Sequence, residues 1–165
     1  MKARALSVLA ALVAAGCVFQ LVVAPTPLLV WNMTASAPLG LYRRSVGTPQ
    51  NGDWVLVWPP QRAAELAAHR GYLPRHVPMV KRIRAKGGDT VCRSGRAVSV
   101  NGELRAMALL RDKVGRALPI WQGCSRLQDD QVFVLTAPPD SFDSRYFGAV
   151  PSAHVIERIA PLWTF

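Results

Sequence analysis

Twenty consecutive residues without a charge, Ala5 to Ala24, constrain this chain more than any other feature. Ser7 and Gln20 are the only strongly polar side chains in the run. As a helix it extends roughly 30 Å, the thickness of a hydrocarbon core. It has no polar face to turn toward water, so it fits poorly as a surface or core helix of a soluble domain. Lys2 and Arg4 precede it, and Pro25 and Pro27 stop it. Positive flanks stay on the cytoplasmic side, which places the rest of the chain outside. Two readings stand. Val22 and Ala24 make a small-residue pattern suited to a cleaved signal peptide. The run nevertheless exceeds the ~7–15 apolar residues of such a peptide, which favours an uncleaved single-pass anchor. The expected organisation is an anchor over residues 1–24 and an exported domain over 25–165.

The chain has 165 residues, half of them hydrophobic, and a formal charge of +10. It is too apolar for a disordered chain and long enough for one ordinary domain. Lys2 and Arg4 carry little of the basic excess, so the exported part remains strongly positive. A basic domain raises the possibility of nucleic-acid binding. Aromatic interleaving and a helix-turn-helix signal are both missing, however, and the outward topology separates the domain from cytoplasmic DNA, so no nucleic-acid partner is expected. Cys17 lies within the apolar run, whereas Cys92 and Cys124 lie in the exported part. Those two are either a disulfide, which an oxidising compartment permits, or free thiols. A bond would close a loop of roughly 33 residues, for about 3–4 kcal/mol in the chain-entropy picture. The three scattered histidines lack the spacing of a zinc site, so neither a metal nor another cofactor is expected.

Beyond Pro27 the pattern is mostly that of strands. Trp54 to Trp58 is a β-branched and aromatic run ended by Pro59-Pro60. Met79–Ile83, Thr90–Cys92, Gln131–Thr136 and Val155–Ile159 also read as strands. Asn101-Gly102 between Ala97–Val100 and the residues from Glu103 onward predicts a hairpin with a type I′ turn. Gln61–Arg70, alanine-rich and followed by Gly71, reads as a short helix or a surface insertion. Ala106–Leu118 is ambiguous. The expected fold class is mainly β, of barrel or sandwich type.

Three stretches carry residues suited to catalysis: Asn32 to Tyr42, Val80-Lys81-Arg82-Ile83 with Gly88-Asp89, and Ser141 to Gly148. Singly, each is ordinary turn or surface chemistry. Together they offer a serine nucleophile and a lysine base. A serine hydroxyl needs a base to take its proton. Lysine can serve only if desolvation lowers its pKa from ~10.4 by about 3 units. In a strand Lys81 shares one face with Met79 and Ile83, an apolar wall, while Arg82 points to the other face.

These blocks resemble the signal peptidase I family of membrane-anchored Ser/Lys proteases, and within it the conjugative-transfer, TraF-type branch of pilin-maturation peptidases. The Asn-x-Thr-x-Ser-x-Pro-x-Gly-Leu-Tyr pattern of Asn32 to Tyr42 is typical of that branch. Ala37 stands where the general family usually has Met. Gly52-Asp53-Trp54-Val55, Lys81-Arg82 with Gly88-Asp89-Thr90-Val91, and Ser141-x-Asp143-Ser144-Arg145-Tyr146-x-Gly148 follow in the family's order.

The resemblance implies a signal-peptidase-like antiparallel β domain with coiled, partly barrel-like sheets, preceded by one transmembrane helix. It implies Ser36 as nucleophile, Lys81 as general base and Asp143 as part of the catalytic set. Ser141 would orient the lysine; Ser144 and Arg145 would support the site; Thr34 would share the oxyanion hole with the Ser36 backbone N–H. The expected activity is a serine endopeptidase of the bacterial inner membrane with its catalytic domain in the periplasm. It would process an exported precursor, a conjugative pilin first of all, by hydrolysis or with cyclisation. The expected partners are that protein substrate, membrane lipid touched by Leu28 to Trp31, and the type IV secretion machinery of conjugation. A general signal peptidase and a non-catalytic basic pilus-assembly scaffold are the alternatives.

Overall fold

The computed structural model describes residues 28–165, so the expected anchor at 1–24 lies outside the described residues. No helix among the described residues is long and apolar enough to cross a membrane. Eleven strands form two antiparallel sheets. The larger contains β1 (Leu29–Asn32), β2 (Gly40–Arg44), β3 (Trp54–Val57), β4 (Met79–Lys86), β9 (Gln131–Leu135), β10 (Val150–Pro151) and β11 (Val155–Thr164), in the order β1-β2-β11-β3-β4-β9-β10. The smaller contains β5 (Thr90–Ser94), β6 (Ala97–Val100), β7 (Glu103–Met107) and β8 (Gly123–Arg126), in the order β7-β6-β5-β8. Helix α1 (Gln61–His69) joins β3 to β4, and a one-turn helix α2 (Ser144–Phe147) follows β9.

The central strands of the larger sheet are buried on both faces, which explains their uninterrupted apolar runs. Val55, Val57, Met79, Ile83, Val132 and Val134 form one core. Leu56, Val80, Tyr42 and Ala37 form another on the opposite side. Lys81 thus lies on the strand face of Met79 and Ile83, as its alternation predicts. The smaller sheet contributes Val91, Val98 and Val100 to a third cluster, packed against Phe133 and Leu135.

The mainly β, antiparallel expectation holds, and β3, β4, β5, β9 and α1 fall where the sequence places them. The Ala97–Met107 hairpin turns at Asn101 and Gly102, both with positive φ, as a type I′ turn requires. Strand β11 extends beyond the expected Ile159 to Thr164. It pairs first with β3 and then with β2, slipping register between Pro161 and Trp163. Proline cannot donate to a ladder, so a strand crosses one most readily at such an irregularity. Four strands, β1, β2, β8 and the two-residue β10, were not expected. All four residues of β8 are exposed, so it has no buried apolar alternation to read. The ambiguous 106–118 stretch is the end of β7 followed by a loop, closed by a bridge between Arg111 and Ala117.

Gly40 opens β2 at φ +130°, and a Cβ there would meet the Trp163 carbonyl oxygen at 2.2 Å. Only glycine lets β2 approach β11 so closely. Cys92 and Cys124 are directly opposite in the β5–β8 ladder and are joined by a disulfide.

Candidate active site

The loop that carries Ser36 hangs between β1 and β2 and is held chiefly by one side chain. Asn32, nearly fully buried, donates through Nδ2 to the carbonyls of Thr34 (3.0 Å), Ala37 (3.1 Å) and Pro38 (3.0 Å). Its Oδ1 accepts from the Thr34 backbone N–H (3.1 Å) and hydroxyl (2.9 Å). Such a loop would otherwise leave several polar backbone groups unsatisfied. The Tyr42 hydroxyl adds a hydrogen bond to the Pro38 carbonyl at 2.8 Å. Ser36, half-buried, is presented on this loop with its Oγ 3.2 Å from the Thr34 hydroxyl.

The lysine stands on β4 and is 2% exposed. Its Nζ donates to Ser141 Oγ at 2.6 Å. The Thr136 hydroxyl donates to the same oxygen at 2.7 Å. Burial pushes the Lys81 ammonium down from 10.5 to about 8; the nearby Asp143 opposes that shift, Arg145 adds to it and Asp140 opposes it. Desolvation dominates because it penalises the charged form of a group shut off from water. A large fraction of Lys81 is therefore neutral at pH values where an ordinary lysine is a cation.

Asp143, Ser144 and Arg145 form a buried frame behind the lysine. Asp143 caps α2 by accepting from the Arg145 backbone N–H. Its carboxylate also receives a forked pair from the Arg145 guanidinium, at 2.8 and 3.0 Å. The Thr136 backbone N–H donates to it at 3.1 Å. Arg145 reaches back to the carbonyls of Thr136 and Pro139. Ser144 Oγ accepts from the Val134 backbone N–H at 3.0 Å, fixing α2 to β9. A buried pair so fully hydrogen-bonded is the arrangement in which two charges can be tolerated inside a protein. Asp143 and Arg145 therefore act on Lys81 through electrostatics and through the 136–141 loop that carries Ser141.

Ser36, Thr34, Lys81 and Ser141 line one cavity of about 840 Å³. The structure thus brings together the expected nucleophile, base, base-orienting serine and oxyanion donor. Lys81 is engaged with Ser141, while Ser36 is engaged with Thr34. Asn32 and Thr136 are the functional residues that reading the sequence did not single out. Asn32 was visible as the first letter of its motif. Thr136 had no signal, because its contact to Ser141 is made by the fold. Among the described residues, no group of three or more His, Cys, Asp or Glu side chains is placed to hold a metal ion.

Comparison with known proteins bears on this arrangement. The profile of the family described as signal peptidase, peptidase S26, matches residues 1–163. A plasmid transfer protein TraF of Escherichia coli is 34% identical over 145 residues, spanning 81% of this chain and 82% of its own. A conjugal transfer protein TraF of Agrobacterium fabrum is 33% identical over 144 residues, with 81% of each chain covered. A probable conjugal transfer protein TraF of Sinorhizobium fredii is 36% identical, over 81% of this chain and 76% of its own. Among solved structures, a signal peptidase I from Enterococcus faecalis overlays with a TM-score of 0.43 at 21% identity, covering 70% of this chain and all of the other. With a profile match along nearly its whole length and relatives above 30% identity over most of theirs, the chain belongs to the signal peptidase S26 family, alongside its TraF relatives.

Proposed function

We propose that this protein is a serine endopeptidase working through Ser36 and Lys81, anchored in the bacterial inner membrane with its catalytic domain in the periplasm. The observation that carries the reading is the buried Lys81, with its pKa pushed down to about 8, opening on the cavity that also holds Ser36. A neutral lysine can take the Ser36 proton as Oγ attacks the scissile carbonyl. The developing oxyanion would be met by the Ser36 backbone N–H and by the Thr34 hydroxyl, whose proton turns away from Asn32 Oδ1 to reach it. Lys81, now an ammonium held by Ser141, returns the proton to the leaving amine. The acyl group then passes to water, or to the substrate's own N-terminal amine with cyclisation; a cyclic product is lighter than the linear one by one water.

An extended substrate has a docking edge in this cavity. Met79 to Lys81 pair with β3, whereas pairing with β9 begins only at Arg82. The unpaired side of that segment can accept an added strand. Exposed Leu28, Leu29, Trp31 and Met33 on one side, with Leu162, Trp163 and Phe165 on the other, make an apolar surface suited to the bilayer. Trp31 and Trp163 lie 6.1 Å apart, ring centre to ring centre. The relatives are named for plasmid and conjugal transfer, which supports conjugation as the context, and within it this reading assigns a pilin precursor as substrate.

The test is processing of that pilin precursor in cells carrying Ser36→Ala or Lys81→Ala. Both are expected to accumulate the precursor; normal processing by both variants rules out the dyad.

A further inference from the structure

Ser36 borders a second cavity. It is smaller, about 480 Å³, and is walled by Trp54, Arg82, Arg84, Pro138 and Phe165. Strand β4 runs between the two cavities. Lys81 faces the larger one, while Arg82 and Arg84, at alternate positions, line the smaller.

The cations of this second cavity are unevenly satisfied. Arg82 donates through Nε to the Gly52 carbonyl at 2.7 Å and lies over the Trp54 ring. Arg105, close enough to act on Arg84 electrostatically, is paired with Glu103. Arg84 has no hydrogen-bond or ion-pair partner among the described residues, although it is half-buried. Burial and the neighbouring Arg82 and Arg105 hold its guanidinium below the usual value. Arg84 is also the extra residue where the β4–β9 register slips, between Ile83 opposite Val134 and Ala85 opposite Phe133. A bulge of this kind re-aims a side chain. An unpaired cation beside two others, in a cavity that shares the nucleophile, calls for an anion.

We propose that the smaller cavity binds the part of the substrate beyond the scissile bond, and that Arg84 selects a carboxylate there. This rests on the peptidase reading above. The acyl side of the substrate takes the larger cavity, where the unpaired edge of β4 offers main-chain hydrogen bonds. The chain then crosses Ser36, and the leaving side enters a space bounded by side chains, where charge rather than backbone pairing decides affinity.

The experiment uses the full chain in detergent micelles with internally quenched peptides. These have alanine on both sides of the cut and are identical except for Glu or Gln at one of the first three positions beyond it. The wild type is expected to favour the best Glu peptide over its Gln twin by about tenfold in kcat/KM, the worth of a charge-assisted pair. That ratio should shrink with added salt. Arg84→Gln should bring it to about 1, and Arg84→Lys should keep most of it. Arg84→Glu should transfer the preference to a Lys peptide. Equal cleavage of Glu and Gln peptides by the wild type overturns this inference and leaves the peptidase reading intact. No cleavage of any peptide, with Ser36→Ala indistinguishable from wild type, overturns both. A preference for Glu only on the acyl side overturns the assignment of the cavity. So does an unchanged ratio in Arg84→Gln coupled with weakened binding to phosphatidylglycerol vesicles, which would give the cation to a lipid headgroup.

Discussion

The two sheets solve the problem of stability in opposite ways. The larger has central strands buried on both faces, as in β3 and β9, and it encloses a charged frame within that apolar interior. The smaller exposes nearly all of β7 and all of β8, buries one face only, and carries the disulfide. A sheet with a deep core can hold an unfavourable polar cluster in a fixed geometry, because many apolar contacts oppose its disruption. The smaller sheet packs on one face only, and a covalent link adds to the stability of that thinner core. Chemistry sits in the sheet that can bear its cost.

The sharpest way to break this contrast is Lys81→Met. Activity should fall by about 10⁴-fold or more, read as kcat on a processed precursor. In the wild type, kcat/KM should rise with pH through about 8 as Lys81 loses its proton. The Lys81 contribution to stability should rise with pH in the same direction. The unfolded chain binds the Lys81 proton more tightly than the folded one, since the pKa falls from 10.5 to about 8 on folding. Below about pH 8 the folded state therefore bears the full penalty, roughly 3 kcal/mol, which fades as pH rises toward 10.5. Denaturant unfolding should find Lys81→Met the more stable protein at pH 7, with the gap closing at high pH. A methionine variant less stable than wild type at pH 7 would mean that the larger sheet bears no such cost.

Asp143→Ala should destabilise by about 3–5 kcal/mol, since it strands the buried Arg145 guanidinium; Asp143→Asn keeps one acceptor oxygen but sets an N–H donor against donors of Arg145 or Thr136, and should cost nearly as much. Urea unfolding at pH 7 measures both. Replacing Cys92 and Cys124 by serine should cost about 3–4 kcal/mol. Yet kcat, measured well below the unfolding transition, should stay within about twofold, because neither Cys92 nor Cys124 lines the cavity. A large loss of kcat in a folded double variant would show that the sheets are not separable in function. The smallest effect belongs to Glu103→Gln, which removes an exposed ion pair with Arg105 on β7 and should change stability by less than about 1 kcal/mol.

Some of this was readable in advance for physical reasons. Ser36 and Lys81 are the residue types a serine–lysine pair needs, the alternation around Lys81 put it on an apolar face, and Ser141, Asp143 and Arg145 could be named only through the resemblance to signal peptidases. Cys92 and Cys124 could be named as a possible pair, but only the β5–β8 register makes them opposite. Asn32 and Thr136 escaped because their work consists of holding backbone and hydroxyl groups that come together on folding. Arg84 escaped for a related reason: a strand pattern assigns it a face, but not the register slip beside it. The anchor, the plainest feature of the sequence, lies outside the described residues.

One link between the sheets has a consequence for timing. Arg93 of β5, 1% exposed and adjacent to Cys92, donates to the Arg145 carbonyl at 2.6 Å, and Trp121 donates to the Ser144 carbonyl at 3.1 Å. The small sheet and the segment leading into β8 are thereby clamped to α2, just beyond the loop that bears Ser141. With Lys81 open to water its pKa would stay at ~10.4, farther from the neutral form than burial places it. On the reading proposed above, Ser36 thus gains an activating base only once that packing is complete.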